Sequence, residues 1–252
     1  LAILSITLSI ASFRKRPSPV PPVYEGGGRS RQLVVRAMPQ ARGMRLIVDP
    51  RDGAVRLTLP KRASLHHALA WAEDKRPWVE AELRKLPPPQ PIVAGSTITF
   101  AGELLLIDWR PDASRIVRRE ADRIVVGGPR ESVPTRVSRW LKREAHAVLE
   151  RETREIAQLA GVTIGKVAIG DPRGRWGSCS SSGDIRYSWR LILAPPDVRR
   201  ATVAHEVAHR LHMDHSPAFH AAAARLFGQD PASQRRWLRS HGPALHWIGR
   251  DG

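Results

Sequence analysis

The chain is short of several things, and each shortage narrows what it can be. Its 252 residues hold one cysteine, Cys179, so no disulfide framework exists and no cysteine-rich metal knuckle can form. Low cysteine usage suits a reducing compartment, and the expectation is a cytoplasmic protein. Long apolar runs are missing. The longest, Leu1–Phe13, falls short of the roughly 20 residues a membrane helix needs. Its positive charges (Arg14, Lys15, Arg16) follow it, whereas a secretory signal carries them in front. No stable membrane insertion is expected; the segment reads as a leader without a function of its own, or as a weak membrane tether. There is no glycine-rich nucleotide loop and no internal repeat.

Acidic residues are outnumbered, 24 against 41 Lys plus Arg, for a net charge of +17. Most of the basic residues are arginine and they are spread along the whole chain. Association with nucleic acid is one reading of that charge. The other is the arginine-heavy, alanine-rich usage that GC-rich coding produces. Hydrophobic residues reach 42%, enough for a core. Trp71, Trp78, Trp140, Trp237 and Trp247 read as core or partly buried residues, not as stacking platforms for bases.

Periodicity predicts an α+β chain in three parts. Residues 1–30 read as a disordered leader and linker, with prolines at 17–22 and glycines at 26–28. Residues 31–129 read as a small, mixed, antiparallel β-rich N-terminal domain. Its strands are expected at 32–37, 45–49, 55–59, 96–109, 115–119 and 123–126, with Asp52-Gly53 as a turn. A helix capped by Ser64 is expected to be interrupted at Pro77. Residues 130–252 form the third part. A long helix should run from Pro134 to Ala160 and stop at Gly161, followed by a strand over 162–169. Alternation predicts a further strand over 185–193, read as an edge that could pair with an extended peptide. Helices are expected over 198–213 and from Ser216-Pro217 to Phe227.

The chemistry is concentrated in His205-Glu206-Val207-Ala208-His209. On a helix, positions i and i+4 share a face, so both imidazoles can reach one zinc ion. Glu206 lies beside the first of them, placed to take a proton from an attacking water and pass it to a leaving group. A mononuclear catalytic site needs a third protein ligand. His212 is about 10.5 Å along a continuous helix from His205, too far to share its metal. His215, just before a helix start, and His220, in the first turn after it, both stay open. The His205–His215 spacing matches the third ligand of the H-E-x-x-H-x-x-G-x-x-H pattern, although His212 stands where that pattern has glycine. Tyr187 and Arg190 are candidates for polarising a carbonyl, Trp176-Gly177 for shaping a hairpin beside the helix, and Cys179 for packing.

Taken in order, Arg175-Trp176-Gly177-Ser178-Cys179-Ser180, Trp189-Arg190-Leu191-Ile192, Ala194-Pro195-Pro196, His205-Glu206-x-x-His209 and His215-Ser216-x-x-Phe219 resemble the YgjP-like metal-dependent hydrolases, relatives of the SprT-like zinc metallopeptidases. Met44-Arg45-Leu46 and Lys75-Arg76-Pro77-Trp78 extend the resemblance to about residues 32–228. It implies a minimal zincin-like catalytic domain, a small sheet packed on the helix of His205. It also implies Zn2+ held by His205, His209 and His215, Glu206 as general base, and a peptide or protein substrate. Two positions depart from the family's pattern: His220 follows Phe219 where the family usually has Trp, and Ala208 stands where Cys is frequent. Two other functions compete: hydrolysis of nucleotide phosphoanhydrides, and a nucleic-acid-associated protein or DNA-tethered protease.

Overall fold

The computed structural model describes residues 21–250. Of the leader and linker expected over residues 1–30, residues 1–20 lie outside them. The chain divides into two compact units, one built up to Asp49 and from Gly53–Leu86, the other from Pro50–Asp52 and from Pro87 onward.

The first unit begins earlier than the composition suggests. The Gly-rich stretch assigned to a linker is a hairpin, β1 (Val23–Gly26) and β2 (Arg29–Gln32), turning at Gly27 and Gly28, both at positive φ. Tyr24 anchors it. Its ring is fully buried and its hydroxyl donates to the Ala72 carbonyl at 3.0 Å. A three-stranded sheet follows, with β5 (Val55–Pro60) central between β3 (Val34–Met38), parallel to it, and β4 (Arg45–Val48), antiparallel. Strict alternation in β5 sends Val55, Leu57 and Leu59 into the core. Against it lie α1 (Leu65–Asp74) and α2 (Arg76–Arg84). Ser64 caps α1 through the His67 amide, and Pro77, in the first turn of α2, enforces the break between them.

In the second unit, β6 (Thr97–Phe100), β7 (Glu103–Trp109), β8 (Arg118–Glu120) and β9 (Arg123–Val126) form a sheet ordered β6-β7-β9-β8. The β-rich run over 96–109 is a hairpin that turns at Ala101 and Gly102, both at positive φ. This sheet does not share a unit with the N-terminal strands, as the 31–129 grouping would have it. Ile98, Leu105, Ile107, Ile124 and Val126 pack in the same core as Val137, Trp140 and Leu141 of α3 (Val133–Ala160). The hairpin tip also bonds to the chain ahead of the histidine helix: the Ala101 and Gly102 amides donate to Ile192 and Leu193. The division falls at Leu86/Pro87.

α3 ends at Gly161, in the left-handed conformation that favours glycine. Beyond it, β10 (Val167–Gly170), β11 (Gly177–Cys179) and β12 (Ile185–Ser188) make a sheet in the order β10-β12-β11. The strand expected over 162–169 is thus confined to its end. The one expected over 185–193 stops at Ser188, and Trp189–Ile192 is a 3-10 turn. β12 is the central strand, parallel to β10 and antiparallel to β11, so it has no free edge for a peptide. Three helices complete the unit: α4 (Pro196–Ala208), α5 (Pro217–Phe227) and α6 (Ala232–Leu245). Among the described residues no helix is long and apolar enough to cross a membrane.

Two buried arginines tie these pieces together. On α4, Arg199 donates to both carboxylate oxygens of Glu152 on α3 at 2.8–3.2 Å, both side chains being under a tenth exposed. Arg190 holds Asp171 with two bonds and reaches the Leu245 and Ile248 carbonyls at 2.6 and 2.9 Å. Beside it, His246 is buried. Burial first, then the Arg190 charge, brings its pKa from 6.5 down to about 4.

Two predictions follow from this packing. Glu152→Ala strands the Arg199 guanidinium in the interior and should lower the unfolding free energy in urea by about 3–5 kcal/mol, while the double replacement Glu152→Leu/Arg199→Met should recover most of it. A single variant within about 1 kcal/mol of wild type would show that the pair does not anchor α4. For His246, the unfolded chain takes up a proton below about pH 6.5 that the folded chain refuses until about pH 4. Stability should therefore fall across that window on acidification, and His246→Gln should flatten the decline measured by denaturation at stepped pH.

Candidate metal centre

His205 and Glu206 lie in the last turn of α4 and His209 is its C-cap. The helix stops there instead of running to 213. The Arg210, Leu211 and His212 amides turn back to bond the Val207 and Ala208 carbonyls. Rise along a continuous helix is thus not what separates His212 from the site. The turn brings the His212 carbonyl to 3.2 Å from His209 Nδ1. That bond fixes the tautomer with the proton on Nδ1 and leaves Nε2 with its lone pair free. The chain then returns through His215 to Ser216, whose hydroxyl caps α5 by accepting the Phe219 amide.

Of the sequence candidates, His205, His209 and His215 come together. One ring nitrogen from each lies within 4.8 Å of the other two. The Nε2 atoms of His205 and His215 are 3.3 Å apart. Tetrahedral coordination with metal–nitrogen bonds of 2.0–2.1 Å needs ligand nitrogens about 3.3 Å apart, so this pair already has the spacing of two ligands on one ion. The donor set is three imidazoles, which suit borderline divalent metals. Burial, followed by the nearby His209 and His215 charges, holds His205 down to about 4, so its lone pair is available at neutral pH. His220 is exposed, and its ring centroid is 6.3 Å from that of His215.

Phe219 is the floor beneath the three rings. It is fully buried, with its centroid 4.8, 4.5 and 4.8 Å from those of His205, His209 and His215. The sequence marks Phe219 only as part of a motif. Its position three residues past the Ser216 cap, on the first turn of α5, gives it this role.

Glu206 is 5% exposed, and burial raises its pKa to about 7 against the pull of Arg175. Its carboxyl lies flat against the backbone of β11. A Cβ at Gly177 would collide with Oε1 and would lie 2.6 Å from Cγ and 2.7 Å from Cδ. Gly177 is thus a close-approach glycine, the usual meaning of glycine inside a strand. Its neighbour Trp176 packs over Gly242 of α6, where a Cβ would meet the indole at 2.6 Å, and stands 5.4 Å from the His246 ring. The alternation reading found no α6, because Gly242 and Pro243 near its end argue against helix.

The two carbonyl-polarising candidates are engaged elsewhere. Tyr187 is fully buried with its hydroxyl 3.0 Å from the Thr153 hydroxyl. Arg190 is committed to Asp171 and two backbone carbonyls, with its guanidinium 4.6 Å from the Trp189 ring centroid. Cys179 is half-buried and bonds the Ser180 carbonyl; burial pushes its thiol up, away from the thiolate a metal would need.

No curated protein and no solved structure matches the chain. A family model does: the YgjP-like, metallopeptidase domain matches residues 43–241, a span that holds the three histidines, Glu206 and Gly177. A metallopeptidase domain implies a divalent metal, and the imidazole cluster offers such an ion a place. With most of its length inside that match, the chain belongs to the YgjP-like metallopeptidase-domain family.

Proposed function

We propose that the protein is a zinc-dependent peptidase in which His205, His209 and His215 hold the metal and Glu206 is the general base. The observation that carries this reading is the convergence of three imidazole nitrogens within 4.8 Å beside one buried carboxylate. Zinc held there would supply a Lewis acid that polarises a carbonyl and makes water nucleophilic near pH 7. The chain's own residues do the rest. His209 is oriented by the His212 carbonyl, and Phe219 keeps all three rings from rotating away. Glu206, with a pKa near 7, gains and loses a proton without a large free-energy penalty. It takes the proton of the attacking water and delivers it to the leaving amide nitrogen. The missing side chain at Gly177 leaves the space this carboxyl occupies, which supports its placement beside the three rings.

Hydrolysis of nucleotide phosphoanhydrides is the competing reaction for such a centre, and it enters the test as a comparison substrate. Purified wild-type protein should carry one zinc per chain by elemental analysis and cleave an unfolded protein faster than a nucleoside triphosphate. His215→Ala should lose the zinc or bind it far more weakly; retention of a full equivalent would reassign the third ligand. Glu206→Gln should keep the zinc and lower turnover on the order of 10²–10⁴-fold. Full activity in that variant would remove Glu206 from the base role.

Gly177→Ala separates positioning from metal binding. The added methyl displaces the Glu206 carboxyl, so turnover should fall about 100-fold with zinc content unchanged. Loss of zinc together with activity would show instead that the whole centre had moved.

A further inference from the structure

The cleft in front of Glu206 and His205 encloses about 240 Å³. Its lining combines apolar groups, Trp176, Val198, Ala201 and Leu238 among them, with two cations, Arg175 and Arg235. Arg175, Trp176, Arg235 and Leu238 also line a second cleft, which adds Arg51, Arg173 and Arg239. The two form one path leading away from Glu206, and its charge is almost all of one sign. Arg173 is paired with Asp52 at 2.8 Å, and Arg235 faces Asp230 at 3.6 Å, where both side chains are exposed. Arg175 and Arg239 are exposed, and among the described residues neither has a carboxylate within ion-pair distance. Glu206 is the one carboxylate in the lining of either cleft.

We propose that this path selects peptides with an apolar side chain next to the scissile bond and acidic side chains at alternating positions beyond it. The proposal rests on the peptidase reading and names its substrate class. Arg235 and Arg239 are four residues apart on α6, about 6 Å along the helix axis. Alternate side chains of an extended peptide recur on one face every 6.4–6.8 Å or so. Two acidic residues in an i, i+2 relation therefore meet the two guanidiniums without bending the peptide. Arg175, nearer Glu206, faces a third carboxylate or the C-terminal one. At the Glu206 end apolar groups make up much of the lining, with Arg175 and Arg235 as its two cations. The arginines also come from separate elements and form no backbone N–H cradle of the kind that holds a nucleotide. A peptide with one apolar and several acidic side chains satisfies both ends of the path.

Binding tests this without requiring turnover. Fluorescence anisotropy on full-length, zinc-loaded wild type and Glu206→Gln compares three labelled decapeptides sharing one central Leu. They carry Glu, Ser or Lys at two alternating positions, all at 150 mM salt. The Glu peptide should bind at least about tenfold more tightly than the Ser peptide, and the Lys peptide most weakly. Arg239→Glu and, separately, Arg175→Glu should erase the Glu preference, and their double variant should favour Lys. Equal affinity for the Glu and Ser peptides overturns the proposal, as does an acidic preference that survives both substitutions. A single-stranded oligonucleotide that displaces the Glu peptide at lower concentration, and is itself lost in the same variants, overturns it by assigning the path to phosphates. Since the readout is affinity, a protein that binds acidic peptides but cleaves none would sink the peptidase reading and leave the path's preference standing.

Discussion

The contact between the Gly177 backbone and the Glu206 carboxyl is the tightest constraint around the centre. Beside β11 there is room for the Glu206 side chain but not for a side chain at position 177 as well. Holding two elements at that separation requires each to be fixed independently. The Arg199–Glu152 pair fixes α4 against α3. The pairing of β11 with β12 and of β12 with β10 fixes the strand, and Trp176 over Gly242 fixes its entrance. The histidine cluster is less demanding: its three rings need only converge, and all three pack against one floor residue, Phe219.

The buried arginines and the cleft arginines illustrate two uses of the same side chain. Arg190 bonds carboxylate and carbonyl oxygens through all three of its nitrogens, Arg199 bonds a carboxylate through Nε and Nη2, and the charge of both is spent on structure. Arg175 and Arg239 keep theirs in solvent. The net charge of +17 thus says little by itself about partners. What matters is which cations remain unpaired next to the candidate centre.

Much of the fold was legible because it follows from local chemistry. Pro77 between α1 and α2, Gly161 after α3 and Ser216 before α5 are each where backbone sterics or capping put a boundary, and each stands there in the structure. The histidine pair was legible from spacing, and spacing together with the resemblance favoured His215 over His220. What stayed hidden depends on contacts made at a distance. The early end of α4 has no glycine to announce it; it is set by amides turning back onto Val207 and Ala208. Alternation in Ile185–Ser188 does not distinguish an edge strand from a central one, since both bury alternate residues. The sheet of β6–β9 reads like its N-terminal neighbours in sequence, and only its bonds to Ile192 and Leu193 reveal which core it completes. Glu206's support was invisible for a simpler reason: glycine signals an approach without naming what approaches.

Arg190 joins a residue in the middle of the second unit to carbonyls 55 and 58 positions later, at Leu245 and Ile248. It thereby closes a loop that carries α4, α5 and all three histidines, and closing that loop lowers the conformational entropy the cluster must lose when it forms.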